Sequence, residues 1–423
     1  MIKFSKLIAS LLLIVFCLSA SAQTSTVSPY SRFGPGDLLF SGFAHQRGMG
    51  GTNIAEAHVA RLNFSNPASY AYDSLMVFEF GLSGERIWLD QSDISSKKWN
   101  AKLEYLVIGF PLVRNKMGLA FGFIPYSGIG YDIESRETID SSNTLTTNYT
   151  GAGGYNRYFI GTGLKLSRNL ALGLNASYLF GSLEQLRNAE FSNSDFFGTR
   201  VRDNTNIGDF MFEFGLHFKA PLKNNYSLSI GATGSLAKDM KANRSLLWEN
   251  FKESALGVDF SRDTVLYVEK EKGNITLPMA LGFGVQLAKG DQWLIQSDFR
   301  YQEWSAYESF RGKDSLENSF RMSVGGQYTH DAKGTRFIER IQFRAGFYYN
   351  SSYLNLRNTT LVDKGISIGM GLPLRKAYQS MVNIAIEGGQ LGTVDNQLIR
   401  EQYLRAVIGI TFNENWFQKR RYE

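Results

Sequence analysis

The sequence predicts an all-β fold, a transmembrane antiparallel β-barrel of about 14 strands with an N-terminal plug in its lumen. Apolar and polar residues alternate with period two in segment after segment. These alternating runs last about 10 to 14 residues, the length that a tilted strand needs to cross a bilayer. The links between runs alternate between short and long, as barrel turns and external loops do. The 423 residues include 42 Gly, 31 Phe and 21 Tyr but only 8 Pro, which favours strands.

The first 22 residues are predicted to be a secretory signal peptide. A basic start precedes an apolar run at 7–18, and small residues at 20–22 place the cleavage site just before Gln23. An uncleaved membrane anchor is the alternative, but about 12 apolar residues are few for a membrane span. The single cysteine, Cys17, lies inside this segment, so neither disulfides nor thiol chemistry are expected in the mature chain. Export with a barrel pattern predicts a location in the bacterial outer membrane.

The two faces of the predicted strands differ in a way that indicates lipid outside and a polar lumen. Phe210, Phe212 and Phe214 share one face of a run, for example, while Glu213 lies on the other. A soluble β-sandwich also alternates, but its strands are usually shorter and its apolar face packs inside. Charged residues recur on the face opposite the apolar one: Arg157, Lys165, Glu213, Asp298, Arg300, Arg340, Arg344, Glu387 and Arg405.

The alternation and the links together predict the organisation of the chain. We expect the signal peptide at 1–22, a hatch at 23–73, the barrel at 74–412 and a periplasmic tail at 413–423. The strands are expected to begin near residues 75, 101, 117, 155, 170, 208, 226, 276, 292, 319, 337, 365, 377 and 402. The long external loops are expected at 85–100, 127–153, 182–207, 239–274, 305–318, 350–364 and 389–401.

The segment before the barrel does not alternate. Its cluster of Gly48, Gly50 and Gly51 is followed by a stretch at 54–62 that is predicted to form a short helix. The segment is too rich in apolar residues for a disordered tail. A barrel of about 14 strands also has internal space that side chains alone do not fill. We therefore expect the segment to fold into the lumen as a plug.

Asn66-Pro67-Ala68 ends this segment just before the first strand. Pro67 fixes its own φ and disfavours αR at Asn66, and the Asn66 side chain is able to close a turn by bonding to nearby backbone. Two interpretations remain open. The motif either pins the hatch to the barrel wall or takes part in a movement linked to transport.

The glycine cluster, a later Ala60-Arg61 and then Asn66-Pro67-Ala68 resemble the N-terminal hatch of the FadL family of long-chain fatty acid and hydrocarbon transporters. The resemblance covers the hatch by motif and the barrel by strand count and loop rhythm. It implies uptake of a hydrophobic small molecule that the external loops capture and that passes beside the hatch. It also implies a lateral exit through a gap at a kinked third strand.

The third predicted strand becomes irregular around Pro125 and Gly128. Pro125 removes a hydrogen-bond donor from the strand ladder, and the glycine permits a bulge. These residues are therefore candidates for the kink of a lateral gate. The alternative is that Pro125 simply starts the long external loop.

Other chemistries are not indicated. The histidines His45, His58, His217 and His330 lack partners at metal-ligand spacing, so we expect no metal and no cofactor. No serine motif accompanies them, so the chain is not expected to be an enzyme. The net charge of +6 is small and dispersed, unlike the basic stripe of a nucleic-acid binder, and the predicted plug argues against an open porin.

Two functions fit these observations. The first is transport of a hydrophobic small molecule, of the long-chain fatty acid or hydrocarbon class, in contact with outer-membrane lipids. The alternative is a barrel that serves as a scaffold or shuttle of a protein secretion system of the type IX kind. Its protein partners would then bind the long external loops or the C-terminal tail.

Overall fold

The computed structural model describes residues 26–40, 42–92, 94–140, 143–193, 195–253, 259–310, 312–313, 316–374 and 380–415. The predicted signal peptide, its cleavage site and Cys17 lie outside these ranges, as does the predicted tail beyond residue 415. Within these ranges, no helix is both long enough and apolar enough to cross a membrane.

The described residues form strands β1 to β19, and 14 of them close an antiparallel barrel. Met76–Gln91 closes the barrel by pairing with Arg400–Glu414, so the predicted fold class is confirmed. The barrel strands are β2 (Met76–Gln91), β3 (Ile94–Val113), β4 (Met117–Thr138), β5 (Thr144–Lys165), β6 (Leu170–Phe191), β7 (Gly198–Pro221), β8 (Tyr226–Ser235), β11 (Ala280–Lys289), β12 (Trp293–Gln302), β15 (Ser319–Thr329), β16 (Gln342–Leu356), β17 (Thr359–Pro373), β18 (Met381–Leu391) and β19 (Arg400–Glu414). The remaining strands are β1 (Asp37–Leu38), β9 (Lys238–Glu253), β10 (Asp259–Leu277), β13 (Glu308–Ser309) and β14 (Gly312–Lys313).

The first four predicted external loops and the sixth, at 350–364, are wrong, because these segments continue as paired ribbons. β4 and β5 stay paired out to Thr138 and Thr144, and β6 and β7 out to Ala189 and Thr199. β9 and β10 form a further hairpin, whose first strand pairs with the outer half of β7. Beyond the bilayer neither face of a strand meets lipid, so the apolar alternation ends while the backbone ladder continues.

The wall has the predicted faces. Phe210, Phe212 and Phe214 are 53%, 48% and 47% exposed on the outside, whereas Arg157 and Asp298 are buried inside. One detail of the prediction is wrong, because Arg340 ends a 3₁₀ turn (Ile338–Arg340) before β16 begins and is not on a strand.

The hatch occupies the lumen. It contains a 3₁₀ turn (Pro29–Arg32), strand β1, the single-turn helix α1 (Ala44–Arg47) and a 3₁₀ helix (Pro67–Tyr72). The helix predicted at 54–62 does not form, and turns with a bridge between His58 and Arg61 replace it. Tertiary contacts decide this segment, because the backbone N–H groups of Asn53 and Ile54 bind Asp298 of β12.

Candidate functional site

The hatch backbone lies directly on the barrel wall at glycines. The Gly50 N–H donates to Ser367 Oγ at 2.8 Å, and a Cβ on Gly50 would lie 2.7 Å from the Phe347 carbonyl oxygen. The φ of +69° at Gly50 and of +81° at Gly51 lies in the region that glycine adopts without steric cost. A Cβ on Gly48 would lie 3.0 Å from the Gly369 Cα.

The wall provides the matching glycines. At each of them an added Cβ would lie 2.6 Å or less from a backbone atom of the hatch. They are Gly118, Gly163, Gly173, Gly231, Gly325 and Gly346. These glycines belong to six strands, so the hatch backbone contacts the wall at many points around the lumen.

Asn66-Pro67-Ala68 fastens the end of the hatch to the wall. Asn66 precedes the 3₁₀ helix, and its Oδ1 accepts a hydrogen bond from the Ala68 N–H at 3.2 Å. Its Nδ2 donates to the carbonyls of Ile54 in the hatch and Leu216 in β7, at 2.7 and 3.0 Å. Pro67 and Ala68 are buried. This geometry matches the pinning interpretation of the motif, and a role in movement stays a prediction.

A row of alternating charges ties the hatch to four strands. Arg47 of α1 pairs with Glu104 of β3 at 3.0 Å and with Glu387 of β18 at 3.2 Å. Arg405 of β19 continues the row to Glu387 at 3.4 Å and to Glu85 of β2 at 2.6 Å. All five side chains are largely shielded from solvent, where a charge without a partner is costly. These ion pairs therefore hold the plug in the lumen.

A second cluster lies within the hatch, where His45 contacts Glu56 at 3.2 Å and Arg61 lies 3.5 Å from the same carboxylate. Burial lowers the pKa of His45, which favours its neutral form, although the Glu56 carboxylate offsets part of this effect. Burial alone would raise the pKa of Glu56, but Arg61 and the hydrogen bonds from His45 and Gln46 lower it below its usual value. Glu56 is therefore a fixed internal anion of the hatch.

The wall has an opening between β3 and β4. These strands pair only from Leu106 opposite Phe123 to Val113 opposite Met117. Beyond this stretch β3 stays paired with β2, and β4 stays paired with β5. Both strands bulge where they part, because the β2–β3 register skips Glu104 and the β4–β5 register skips Tyr126.

Strand β1 of the hatch occupies the base of this opening. Asp37 pairs with Gly128 and Leu38 with Ser127, and the Leu39 N–H donates to the Tyr126 carbonyl at 3.0 Å. One edge of β4 pairs with β5 along this stretch. Strand β1 therefore pairs with the opposite edge of β4, where β3 is no longer paired.

The two predicted gate residues, Pro125 and Gly128, both border the opening. The alternative that Pro125 starts the external loop is wrong, because β4 continues to Thr138. Pro125 precedes the bulged Tyr126, and Gly128 faces the hatch so closely that a Cβ on Gly36 would lie 2.5 Å from its carbonyl oxygen. Whether the opening serves as a gate stays a prediction.

A cavity of about 340 Å³ lies behind the opening. Leu38 and Tyr126 line it on the side of the opening, and Tyr30 of the hatch also contributes. Charged side chains of both signs complete the lining: Asp37, Arg47, Glu85, Lys102, Arg157, Glu213, Lys238, Arg300, Arg321, Asp363, Glu387, Glu401 and Arg405. The cavity thus combines apolar and charged surface.

The sequence profile of the BamG family matches residues 1–423. The chain belongs to the BamG family. No curated protein matches this BamG-family chain.

Several solved structures are similar to this BamG-family barrel. A FadL homologue of Pseudomonas aeruginosa is 11% identical with a TM-score of 0.58, covering 91% of this chain and 100% of that one. The Pseudomonas putida toluene transporter TodX is 16% identical with a TM-score of 0.57 and the same coverage. The Ralstonia pickettii toluene transporter TbuX is 13% identical with a TM-score of 0.56, covering 88% and 99%. At these identities the likeness shows the fold, and at this level the resemblance to FadL is confirmed.

Sequence reasoning missed Arg47, Glu104 and β1 in this BamG-family chain. Arg47 directly precedes the glycine cluster, but its partner Glu104 is 57 positions away in an ordinary alternating run. Nothing local marks Asp37 and Leu38 as a strand. Among the described residues, no group of three or more His, Cys, Asp or Glu side chains is arranged to hold a metal ion.

Proposed function

We propose that this BamG-family barrel moves a hydrophobic small molecule, of the long-chain fatty acid or hydrocarbon class, across the outer membrane. The molecule passes beside the hatch and leaves sideways between β3 and β4. One observation carries the proposal. The wall has an opening between β3 and β4, two residues of the hatch fill its base, and an internal cavity lies behind it. Each backbone hydrogen bond contributes about 1 kcal/mol, so displacing β1 costs far less than parting two full barrel strands.

The lining of the cavity supports an amphiphile as the ligand. Leu38 and Tyr126 offer apolar surface near the opening, while Arg157, Arg300 and Arg321 bring guanidinium groups. A molecule with an apolar tail and a polar head contacts both kinds of surface, whereas a neutral hydrocarbon uses only the apolar part of the lining. Fatty acids are therefore better candidates than hydrocarbons within the proposed class.

Native mass spectrometry with lipid extraction on the detergent-purified barrel tests this function. We expect a bound amphiphile that the Leu38→Asp variant loses, because a carboxylate would then project into the apolar side of the cavity. Val59→Asp is the matched control, since Val59 belongs to the hatch but is exposed and does not line the cavity. Deleting residues 23–73 should also release the ligand. A ligand-free barrel contradicts the proposal.

A scaffold in protein secretion is the second candidate, and the ribbons beyond the barrel favour it. Trp99 on β3 is 71% exposed, and Phe260 and Tyr267 on β10 are 56% and 60% exposed. Exposed aromatic residues are enriched where proteins bind partners. Co-purification of the barrel with another outer-membrane protein, lost when these three residues are changed to serine, would support the scaffold. The same serine variants should leave a bound amphiphile in place if transport is the function.

A further inference from the structure

The edge of β3 that borders the opening is bound to the hatch at two consecutive residues. Glu104 is the bulged residue, which the β2–β3 register skips. The bulge turns its carboxylate inward, where it is buried, accepts from Ser83 Oγ at 2.6 Å and pairs with Arg47 at 3.0 Å. Tyr105 follows, and its hydroxyl accepts a hydrogen bond from the Ala44 N–H at 3.0 Å.

Both contacts reach the same short element of the hatch. Ala44 begins α1 and Arg47 ends it, so one turn of helix holds both residues of β3. Phe43, just before α1, packs edge-on against the Tyr105 ring with centroids 4.7 Å apart. The ladder to β4 ends at Leu106. Above that point β3 is held by β2 on one side and by α1 from within.

We propose that Arg47 is a positioning residue that holds the free edge of β3 through Glu104, so that the position of α1 sets the width of the opening. The bulge makes this coupling effective. Glu104 is unpaired in the regular ladder, so its position depends more strongly on Arg47, with which it forms an ion pair. A shift of α1 along the lumen is transmitted to β3 as a change in its distance from β4. The coupling between α1 and β3 does not depend on the proposed function. Only its effect on the passage of a ligand rests on that function.

Arg47 also connects α1 to a second barrel strand, β18. Its second guanidinium contact is Glu387 of β18, which Arg405 holds in turn. A buried arginine that loses one of two carboxylates moves toward the other, because an uncompensated charge is costly in a buried site. Neutralising Glu104 should therefore weaken the hold on β3, leaving only the contacts of Tyr105, while α1 stays attached to β18.

Spin-label distances across the opening test the coupling in the full-length barrel in nanodiscs, without a ligand. Labels at Trp99→Cys on β3 and Asp132→Cys on β4 occupy exposed positions above the opening. In the Glu104→Gln background we expect the distance distribution to broaden and move outward by up to one interstrand spacing, about 5 Å. Asp203→Asn is the matched control, because it neutralises a buried carboxylate paired with Arg244 at 2.9 Å between β7 and β9.

Tyr105→Phe provides a second variant, since it removes the hydroxyl that binds α1 and keeps the ring. We expect a smaller outward shift than in Glu104→Gln, with both variants still migrating as folded barrels on unheated gels. An unchanged distribution in folded Glu104→Gln and Tyr105→Phe overturns the coupling, even if uptake of a ligand is established. A shift without any uptake supports the coupling and counts against the proposed function alone.

Discussion

Leu38 of the hatch lies opposite Ser127 of β4, at the wall position that β3 occupies lower in the barrel. The hatch therefore has two structural roles. The part that contacts the wall glycines lies inside the lumen, and β1 closes the base of the wall opening. A ligand that leaves sideways must displace the second part, whereas the first part can stay in place.

A disulfide between these two positions should block lateral exit. Facing Cα atoms in antiparallel strands lie about 4.5 to 5.5 Å apart, a separation that a disulfide spans. We expect the oxidised Leu38→Cys/Ser127→Cys variant to lose most uptake of a labelled fatty acid into proteoliposomes and to regain it on reduction. The control is Phe347→Cys/Ile366→Cys, which joins two strands that are already paired in the wall. Uptake that survives oxidation would rule out exit beside β1.

Gly50→Ala should weaken the contact between the hatch and the barrel wall. The new methyl group would lie 2.7 Å from the Phe347 carbonyl oxygen at a φ of +69°. Such backbone strain costs on the order of 1 to 3 kcal/mol. We expect higher ion conductance in planar bilayers and a lower unfolding temperature. Gly388→Ala is the matched control, because a Cβ there has no other atom within 4 Å, and it should conduct like the wild type.

Two substitutions at Asn66 separate its capping role from its pinning role. Asn66→Asp keeps an acceptor for the Ala68 N–H but loses the donors to Ile54 and Leu216. It also places a negative charge beside two carbonyl oxygens. We expect Asn66→Asp to destabilise the barrel against urea by about 2 kcal/mol or more, and by more than Asn66→Ala does. If Asn66→Asp were as stable as the wild type, capping alone would explain the residue.

The wall could be predicted because lipid and lumen impose opposite chemistry on alternate residues. Phe210, Phe212 and Phe214 lie outward as expected, and the strand count follows from such runs. The ribbons could not be predicted, because that contrast ends at the membrane surface. Residues 127–153 therefore read as a loop although β4 and β5 remain paired there.

The hatch was less predictable, because long-range contacts decide its shape. The location of the hatch and its glycines could be predicted from the local sequence. The stretch at 54–62 does not form the predicted helix, because the Ile54 N–H binds the carboxylate of Asp298 instead. The site at the opening depends on Arg47 and Glu104 meeting across the lumen. No spacing rule relates a charge in the plug to a bulge in the wall.

Asp73 should make the stability of the barrel depend on pH. It follows the last 3₁₀ helix of the hatch and is 1% exposed, and neither carboxylate oxygen has a hydrogen-bond partner among the described residues. Burial therefore raises the pKa of Asp73 well above its usual value of 3.8. In the unfolded chain the carboxyl ionises as the pH rises past that value, while in the folded chain it stays protonated to higher pH. Stability contributed by this group is thus complete at low pH and lost as the pH rises.

Asp73→Asn removes this dependence, because the amide is neutral at every pH. We expect it to raise the free energy of unfolding at pH 7 by on the order of 1 to 3 kcal/mol and to change little at pH 3, where both states of the wild type are protonated. Urea titrations at the two pH values measure the difference. Asp195→Asn is the control, since Asp195 is exposed and its replacement should leave both values unchanged. An equal gain at both pH values would show that the amide acts through new hydrogen bonds and not through the lost charge.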